Sequence, residues 1–259
     1  MNAASTVSVS SADGAASCQV IAQCRSIGAR YSRISVVEDV HLDVRAGEMV
    51  AVLGANGAGK SSLFKGICGL VNHTGIVFVN GVHCHDHTDR MDIAYIPQRN
   101  DSDLTFPITA AELVLTGRRR FHRWFARPGR ADRAAAAAAL ADVGLPEVGQ
   151  HTLTELSGGQ LQRVYLARAL AQEATVVLLD EALSGVDQPA TASLIELFHR
   201  LAERGTTLLV ATHDLALARH RFGRLLAVNG TLRADGPPDA VLAPDVLDRT
   251  FGSADARPH

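Results

Sequence analysis

Gly54-Ala55-Asn56-Gly57-Ala58-Gly59-Lys60-Ser61 decides the fold. An apolar run, Met49 to Leu53, precedes it, and Ser62-Leu63-Phe64-Lys65-Gly66-Ile67 follows. That context reads as strand, glycine-rich turn and helix. The spacing is G-x-x-x-x-G-K-[ST], a phosphate-binding loop. Glycines let the backbone curl so that successive N–H groups face one anion. The helix adds its unpaired amides and the positive end of its dipole. Lys60 supplies a mobile charge for the β- and γ-phosphates, and the Ser61 hydroxyl is placed to hold Mg2+. The chain is therefore expected to bind a nucleoside triphosphate.

Composition bounds the rest. The 259 residues suit one large domain, or a core carrying an inserted subdomain. A net charge of -2 argues against a general nucleic-acid binder. Lys60 and Lys65 are the two lysines; the other basic residues are arginines. Cys18, Cys24, Cys68 and Cys84 form no CxxC pair and read as reduced thiols. No apolar run approaches the roughly 20 residues that span a bilayer. Residues 1–17 are Ser/Ala-rich, lack a signal-peptide layout and read as a disordered tail. A soluble, cytoplasmic protein is expected, unless a partner holds it at a membrane.

Upstream of the loop, Val20, Ala22 and Cys24, then Val40, Leu42 and Val44, alternate with polar residues. Period two predicts strands with one buried face. Tyr31 reads either as an adenine-stacking ring or as a packing tyrosine at a strand end. Downstream, Ile76 to Val79 predicts a short strand, with Asn80-Gly81 as its turn. His83-Cys84-His85-Asp86-His87 is either a metal site or a His-rich polar loop; ligands so close in sequence do not easily close a tetrahedron. Asp92 to Ile96 predicts a strand ended by Pro97. Gln98 follows, placed to ligate Mg2+ or orient water, or simply a polar loop residue.

From Arg99 the strand–helix alternation stops. Ile108–Thr116 and Ala131–Val143 read as helices. Between them Arg118, Arg119, Arg120, Arg123, Arg127, Arg130 and Arg133 mingle with Phe121, Trp124 and Phe125. This block reads as an inserted helical subdomain whose arginine-rich side is a contact face or a solvated one. Leu156-Ser157-Gly158-Gly159-Gln160 then opens a helix to Ala171, with Ser157 as its cap. It makes a second potential anion site. A head-to-tail dimer with a two-fold axis would place each Ser157 site over the partner's loop.

Thr175 to Leu179 predicts a strand buried on both faces, ending in Asp180-Glu181. A strand-end aspartate in such a protein holds the Mg2+ shell, and the next acid is placed to take a proton from attacking water. Ser184-Gly185-Val186-Asp187 is a turn into a helix from Gln188 to Arg204. Thr206 to Ala211 is a further strand, ended by Thr212-His213-Asp214, where His213 can reach a γ-phosphate. A strand from Leu225 to Val228, a turn at Asn229-Gly230 and a short helical tail complete the pattern.

From about Val20 to Gly252 these residues, in this order, resemble the ATPase subunit of an ATP-binding cassette (ABC) transporter. In that resemblance Tyr31 is the adenine-stacking aromatic. Gly54, Asn56, Gly57, Ala58, Gly59, Lys60, Ser61 and Ser62 bind the phosphates. Gln98 is the Q-loop glutamine, and Ser157, Gly158, Gly159 and Gln160 are the signature. Asp180 and Glu181 end the second acidic strand, Asp187 lies in the D-loop, and His213 is the switch histidine. The resemblance implies an α/β fold: a phosphate-loop (RecA-like) core with a mostly parallel sheet, an N-terminal antiparallel β subdomain and an inserted α-helical subdomain. The nucleotide-binding domain would cover 18–252, with the helical part at about 99–165, and 253–259 would be a C-terminal tail.

The resemblance further implies ATP and Mg2+ as cofactors, with Ser61, Gln98 and Asp180 as metal ligands and Glu181, His213 and Gln98 as the catalytic set. ATP would lie between the loop of one subunit and the signature of the other in a homodimer. An integral membrane permease, and indirectly an extracytoplasmic binding protein, would be partners, placing the chain at the cytoplasmic face of the membrane. Ala94 to Arg99, Phe106 to Thr109, Gly117-Arg118, Trp124-Phe125, Arg127-Pro128 and Thr250 to Gly252 are similar to the subgroup that imports zinc, manganese or iron. ATPases of ferric-siderophore and haem importers share the same motifs. Soluble ABC proteins acting on ribosomes or DNA typically carry two cassettes or a long coiled coil, unlike this chain. Two departures stand out. Ala182 follows Glu181 where most relatives carry proline, which loosens that turn. Arg119-Arg120-Phe121 is more basic than the metal importers lead one to expect.

Overall fold

A computed structural model describes residues 20–31, 34–84, 92–98, 107–121 and 127–251. The expected tails at 1–17 and 253–259, the His-rich stretch from His85 onward, and Trp124-Phe125 lie outside these residues, as do the side chains of Tyr31, Arg120 and Phe121.

Period-two patterning produces the first sheet. β1 (Val20–Tyr31) and β2 (Ile34–Arg45) pair antiparallel. Ala22, Cys24, Val40, Leu42 and Val44 are buried, while Arg25 and Asp43 pair in solvent. The alternation breaks at Ser26 and Asp39, both at positive φ (51 and 49) and both at register shifts. β4 (Asn72–Val79) pairs with β1, and β5 (Val82–Cys84) with β4. The sheet order is β2-β1-β4-β5. Asn80 and Gly81, at φ 51 and 75, form the two-residue turn between β4 and β5. β4 starts at Asn72 instead of Ile76, because Asn72, His73 and Thr74 pair with β1 before the chain bulges at Gly75. Those polar residues leave no apolar alternation to read.

The second sheet holds β3 (Met49–Leu53), β6 (Ile93–Ile96), β7 (Val176–Asp180), β8 (Thr207–Thr212), β9 (Arg224–Val228) and β10 (Leu232–Gly236). Their order is β10-β9-β3-β8-β7-β6, parallel throughout except for β10. Every residue of β3, β7 and β8 is buried, as a sheet covered on both faces requires. Along β3, Val50 and Val52 join the core shared with the antiparallel sheet and α1 (Lys60–Ile67). Met49, Ala51 and Leu53 join the core on the opposite face, beneath α4 (Gly158–Ala171) and α5 (Gln188–Glu203).

β10 corrects the sequence reading, which passed from the Asn229-Gly230 turn straight to a helical tail. Its alternating charged residues, Arg233 and Asp235, obscure it. Helices α7 (Pro238–Val241) and α8 (Pro244–Phe251) come only after it. A helix that the reading missed, α6 (Leu215–Arg221), follows His213; Asp214 caps it by accepting the Leu217 N–H at 2.9 Å.

Between β6 and β7 the described chain forms α2 (Ala110–Thr116), α3 (Arg130–Asp142) and α4. α2 begins two residues later than its pattern indicated, because Thr109 and Glu112 close a capping box instead of a turn of helix. The three helices bury Val114, Ala136, Leu140 and Val164 against one another. Arg118 ties them together: its guanidinium reaches Asp132 on α3, the Ala171 carbonyl at the end of α4, and Glu173. At the far side of the sheet the β9–β10 turn touches the phosphate-loop segment. Gly230 donates its N–H to the Ala58 carbonyl (3.0 Å) and accepts the Glu38 N–H (2.8 Å). The Asn229 amide donates to the Arg249 carbonyl of α8 (3.3 Å). Among the described residues no helix is long and apolar enough to cross a membrane.

Candidate nucleotide site

The chain leaves β3 at Leu53, turns through Gly54 to Gly59 and enters α1 at Lys60. At two positions a Cβ has no room. A Cβ at Gly54 would collide with the Val228 carbonyl of β9. Gly59 caps α1 at φ +99, and a Cβ there would sit 2.5 Å from Val37 Cγ2. Gly54→Ala therefore destabilises the fold by about 1–3 kcal/mol, since the obstructing atom is backbone. A thermal melt should show a Tm roughly 2–10 °C lower.

Lys60 is buried, and its ammonium donates to the Gly54 carbonyl (2.8 Å) and the Ala55 carbonyl (3.1 Å). Burial lowers its pKa, and the carboxylates of Glu181 and Asp180 oppose that shift. A cavity of ≈ 360 Å³ opens over the loop, lined by Val36, Asn56 to Ser62, Gln98 and Glu181. Four separate segments meet there: the loop with the start of α1, β2 at Val36, the residue after β6 and the residue after β7.

At the end of β7 the two acids diverge. Asp180 is 1 % exposed; its Oδ2 accepts the Tyr95 hydroxyl at 2.9 Å, and its Oδ1 has no hydrogen-bond partner among the described residues. Glu181 lies at φ 47, a left-handed conformation that costs a non-glycine residue about 1–3 kcal/mol. Its Oε2 accepts the Gln98 amide at 2.7 Å. A divalent hard cation such as Mg2+ fits this donor set of hydroxyl, amide and carboxylate oxygens, and the orphaned Oδ1 is the observation that favours it.

Other sequence-read residues stand apart. Ser157 caps α4, with Gln160 completing a capping box, and is exposed. Gly159 lets that helix start rest on α5, since a Cβ there would sit 3.3 Å from Ala190 Cβ. Asp187 caps α5, accepting the Ala190 N–H at 2.8 Å. His213 lines a second depression of ≈ 630 Å³ with Ser184, Gly185 and Asp214. None of these residues lines the loop cavity of the same chain. Tyr31 ends β1, opposite Ile34. His83 faces the Phe78 ring (centroids 5.2 Å), and Cys84 is buried. Tyr95 is the residue that sequence reading missed. A tyrosine inside a buried parallel strand needs a partner for its hydroxyl, and that need was the available signal.

The family model described as ABC transporter matches residues 37–184, over half of the chain. The chain belongs to the ABC transporter family. Domains of this family bind ATP and ADP and hydrolyse ATP. This ABC chain is 38% identical over 221 residues to the manganese transport system ATP-binding protein MntB of Halalkalibacterium halodurans, covering 85% of this chain and 88% of that one. It is 38% identical over 223 residues to the zinc transport system ATP-binding protein TroB of Treponema pallidum (86% and 83% covered). It is 36% identical over 219 residues to the chelated iron transport system membrane protein YfeB of Yersinia pestis (84% and 74% covered). Among solved structures, a metal-chelate type ABC transporter in an inward-facing conformation matches at TM-score 0.78 and 26% identity, covering 90% of this chain and 89% of that one. The dimeric post-hydrolysis state of the cassette MJ0796, bound to ADP and Pi, matches at TM-score 0.71 and 26% identity (84% and 99% covered).

Proposed function

We propose that this chain is the ATP-hydrolysing subunit that energises import of a divalent transition metal (manganese, zinc or iron) through a partner membrane permease. The observation that carries the cargo is the 36–38% identity, over most of the chain, to manganese, zinc and chelated-iron transport proteins. The likeness to a metal-chelate transporter favours a second reading, a ferric-siderophore or haem cargo, but its 26% identity is lower.

The chemistry follows from the cavity. Backbone N–H groups of the loop, the start of α1 and the Lys60 charge hold the β- and γ-phosphates. Ser61, Gln98 and Asp180 would hold Mg2+, whose positive charge offsets the negative charge on the phosphates. Glu181 takes the proton from the attacking water, and Gln98 orients its carboxylate. Ser157 to Gln160, Asp187 and His213 act on nucleotide held by a second copy, which their exclusion from the loop cavity supports. ATP binding thus draws two copies together and hydrolysis releases them. The helical segment that follows Gln98 passes this motion to a permease at the cytoplasmic face of the membrane, while an extracytoplasmic binding protein delivers the metal.

The test is the metal content of cells lacking the gene, grown metal-limited, with wild type or Lys60→Ala restored. Manganese, zinc or iron should fall and be recovered by the wild type alone. All three staying level would overturn the cargo. In vitro, Lys60→Ala should weaken ATP binding about 10- to 100-fold, the worth of a lost charge-assisted phosphate contact. Unchanged affinity in a filter assay would remove Lys60 from the site.

A further inference from the structure

Asp180 is held from one side only. Its carboxylate closes β7 and is nearly fully buried, yet a single group in the described structure bonds it: the Tyr95 hydroxyl, from the neighbouring strand β6. β6 and β7 pair in parallel, with Tyr95 opposite Leu178 and Ile96 opposite Leu179. Tyr95 thus sits two residues behind the aspartate along the sheet, and its ring spans that offset. The bond engages Oδ2 at 2.9 Å and leaves Oδ1 buried and without a hydrogen-bond partner among the described residues. A buried carboxylate oxygen left unpaired costs stability unless something else takes it up.

We propose that Tyr95 is a positioning residue for the divalent cation of the nucleotide site: it anchors one oxygen of Asp180 so that the other is presented to the metal shell. The inference rests on the proposed nucleotide site and adds to it a residue outside the loop. Three constraints agree. The hydroxyl is a donor toward the carboxylate, so Asp180 keeps its acceptor capacity for the cation. The ring is half-buried against the core shared by the two sheets, which restricts its rotation. Neither Tyr95 nor Asp180 lines the loop cavity, whose wall at the end of β7 is Glu181; the Tyr95 hydroxyl reaches the site through Asp180, which it bonds. Groups behind metal ligands typically change metal affinity about 10- to 100-fold when removed, because the ligand must then be oriented at the moment of binding.

The experiment compares wild type with Tyr95→Phe, which removes one oxygen atom and keeps the ring. Mn2+ serves as a paramagnetic stand-in for Mg2+. Electron paramagnetic resonance measures free Mn2+ in the presence of the protein and a non-hydrolysable ATP analogue, and a filter assay measures ATP binding in EDTA. The expected result is about tenfold weaker Mn2+ binding in the variant, with metal-free ATP affinity unchanged. At saturating Mn2+ the variant should recover most of the wild-type turnover. Wild-type Mn2+ affinity in Tyr95→Phe would overturn the proposal. So would an equal loss of ATP affinity in EDTA, because the oxygen would then serve the packing of the whole site. If the wild type itself shows no nucleotide-dependent Mn2+ binding, the nucleotide-site reading fails and the role of Tyr95 with it.

Discussion

Glu181→Gln is expected to lower ATP turnover by about 10²- to 10⁴-fold, the range set by a positioned general base, with ATP affinity retained. The substitution keeps size and shape. The new amide still offers an oxygen to the Gln98 N–H that now binds Oε2 at 2.7 Å, so the link between the ends of β6 and β7 survives. What disappears is the capacity to take a proton from water. Because Glu181 does not hold the phosphates in this reading, ATP still binds, and two copies closed on it stay closed longer. Size-exclusion chromatography with ATP should therefore show a dimer in the variant under conditions where wild type returns to monomer. Equal turnover in the two proteins would remove Glu181 from the chemistry and leave its positive φ without a functional reason.

Ser157→Arg is the second large effect: turnover should fall by at least about 10²-fold, while ATP binding to the isolated chain stays within about twofold of wild type. Ser157 is exposed at the start of α4, and no residue from Ser157 to Gln160 lines the loop cavity. In the proposed dimer its value as an anion site is realised only when a second copy supplies the anion. An arginine there puts a long side chain where, in that dimer, the partner's nucleotide would lie. It also deletes the bond from the Gln160 N–H to Ser157 Oγ, a cap worth about 1 kcal/mol. Ser157→Ala loses the same cap without the bulk, so comparing the two melts separates fold from interface. Full turnover in Ser157→Arg would mean that each chain hydrolyses ATP alone.

The strand–loop–helix centre was legible because its determinants are local. Gly54, Gly59, Lys60 and the apolar run before them lie within a dozen residues, and each has one backbone or charge reason to be there. The doubly buried β3, β7 and β8 were legible for the same reason. β10 and the first half of β4 were not, since charged or polar residues on a half-exposed strand look like loop. Helix α6 was hidden by its shortness, although Asp214 marked its start. At the site, residue types were readable but pairings were not. That Gln98 reaches Glu181 and that Tyr95 bonds Asp180 depend on contacts between residues 83 to 85 apart in sequence, and no residue pattern marks the positive φ of Glu181. The three helices between β6 and β7 were readable as helices, but not the grip of Arg118 on two of them.

The contact between Gly230 and Ala58 sets a timetable for synthesis. The ribosome completes residues 54–61 early, yet β3 is flanked in the finished sheet by β8 and β9, and the β9–β10 turn clasps the loop from behind. At about 5–20 residues per second, those neighbours emerge roughly 10–30 s after the loop itself. Throughout that interval the nascent chain carries the lysine and glycines without the walls that shape them. ATP, abundant in any cell, therefore meets a loop without its finished walls in the early chain. The stabilisation that ATP lends by mass action is a property of the completed fold, and the nascent half carries its apolar strands before that fold exists.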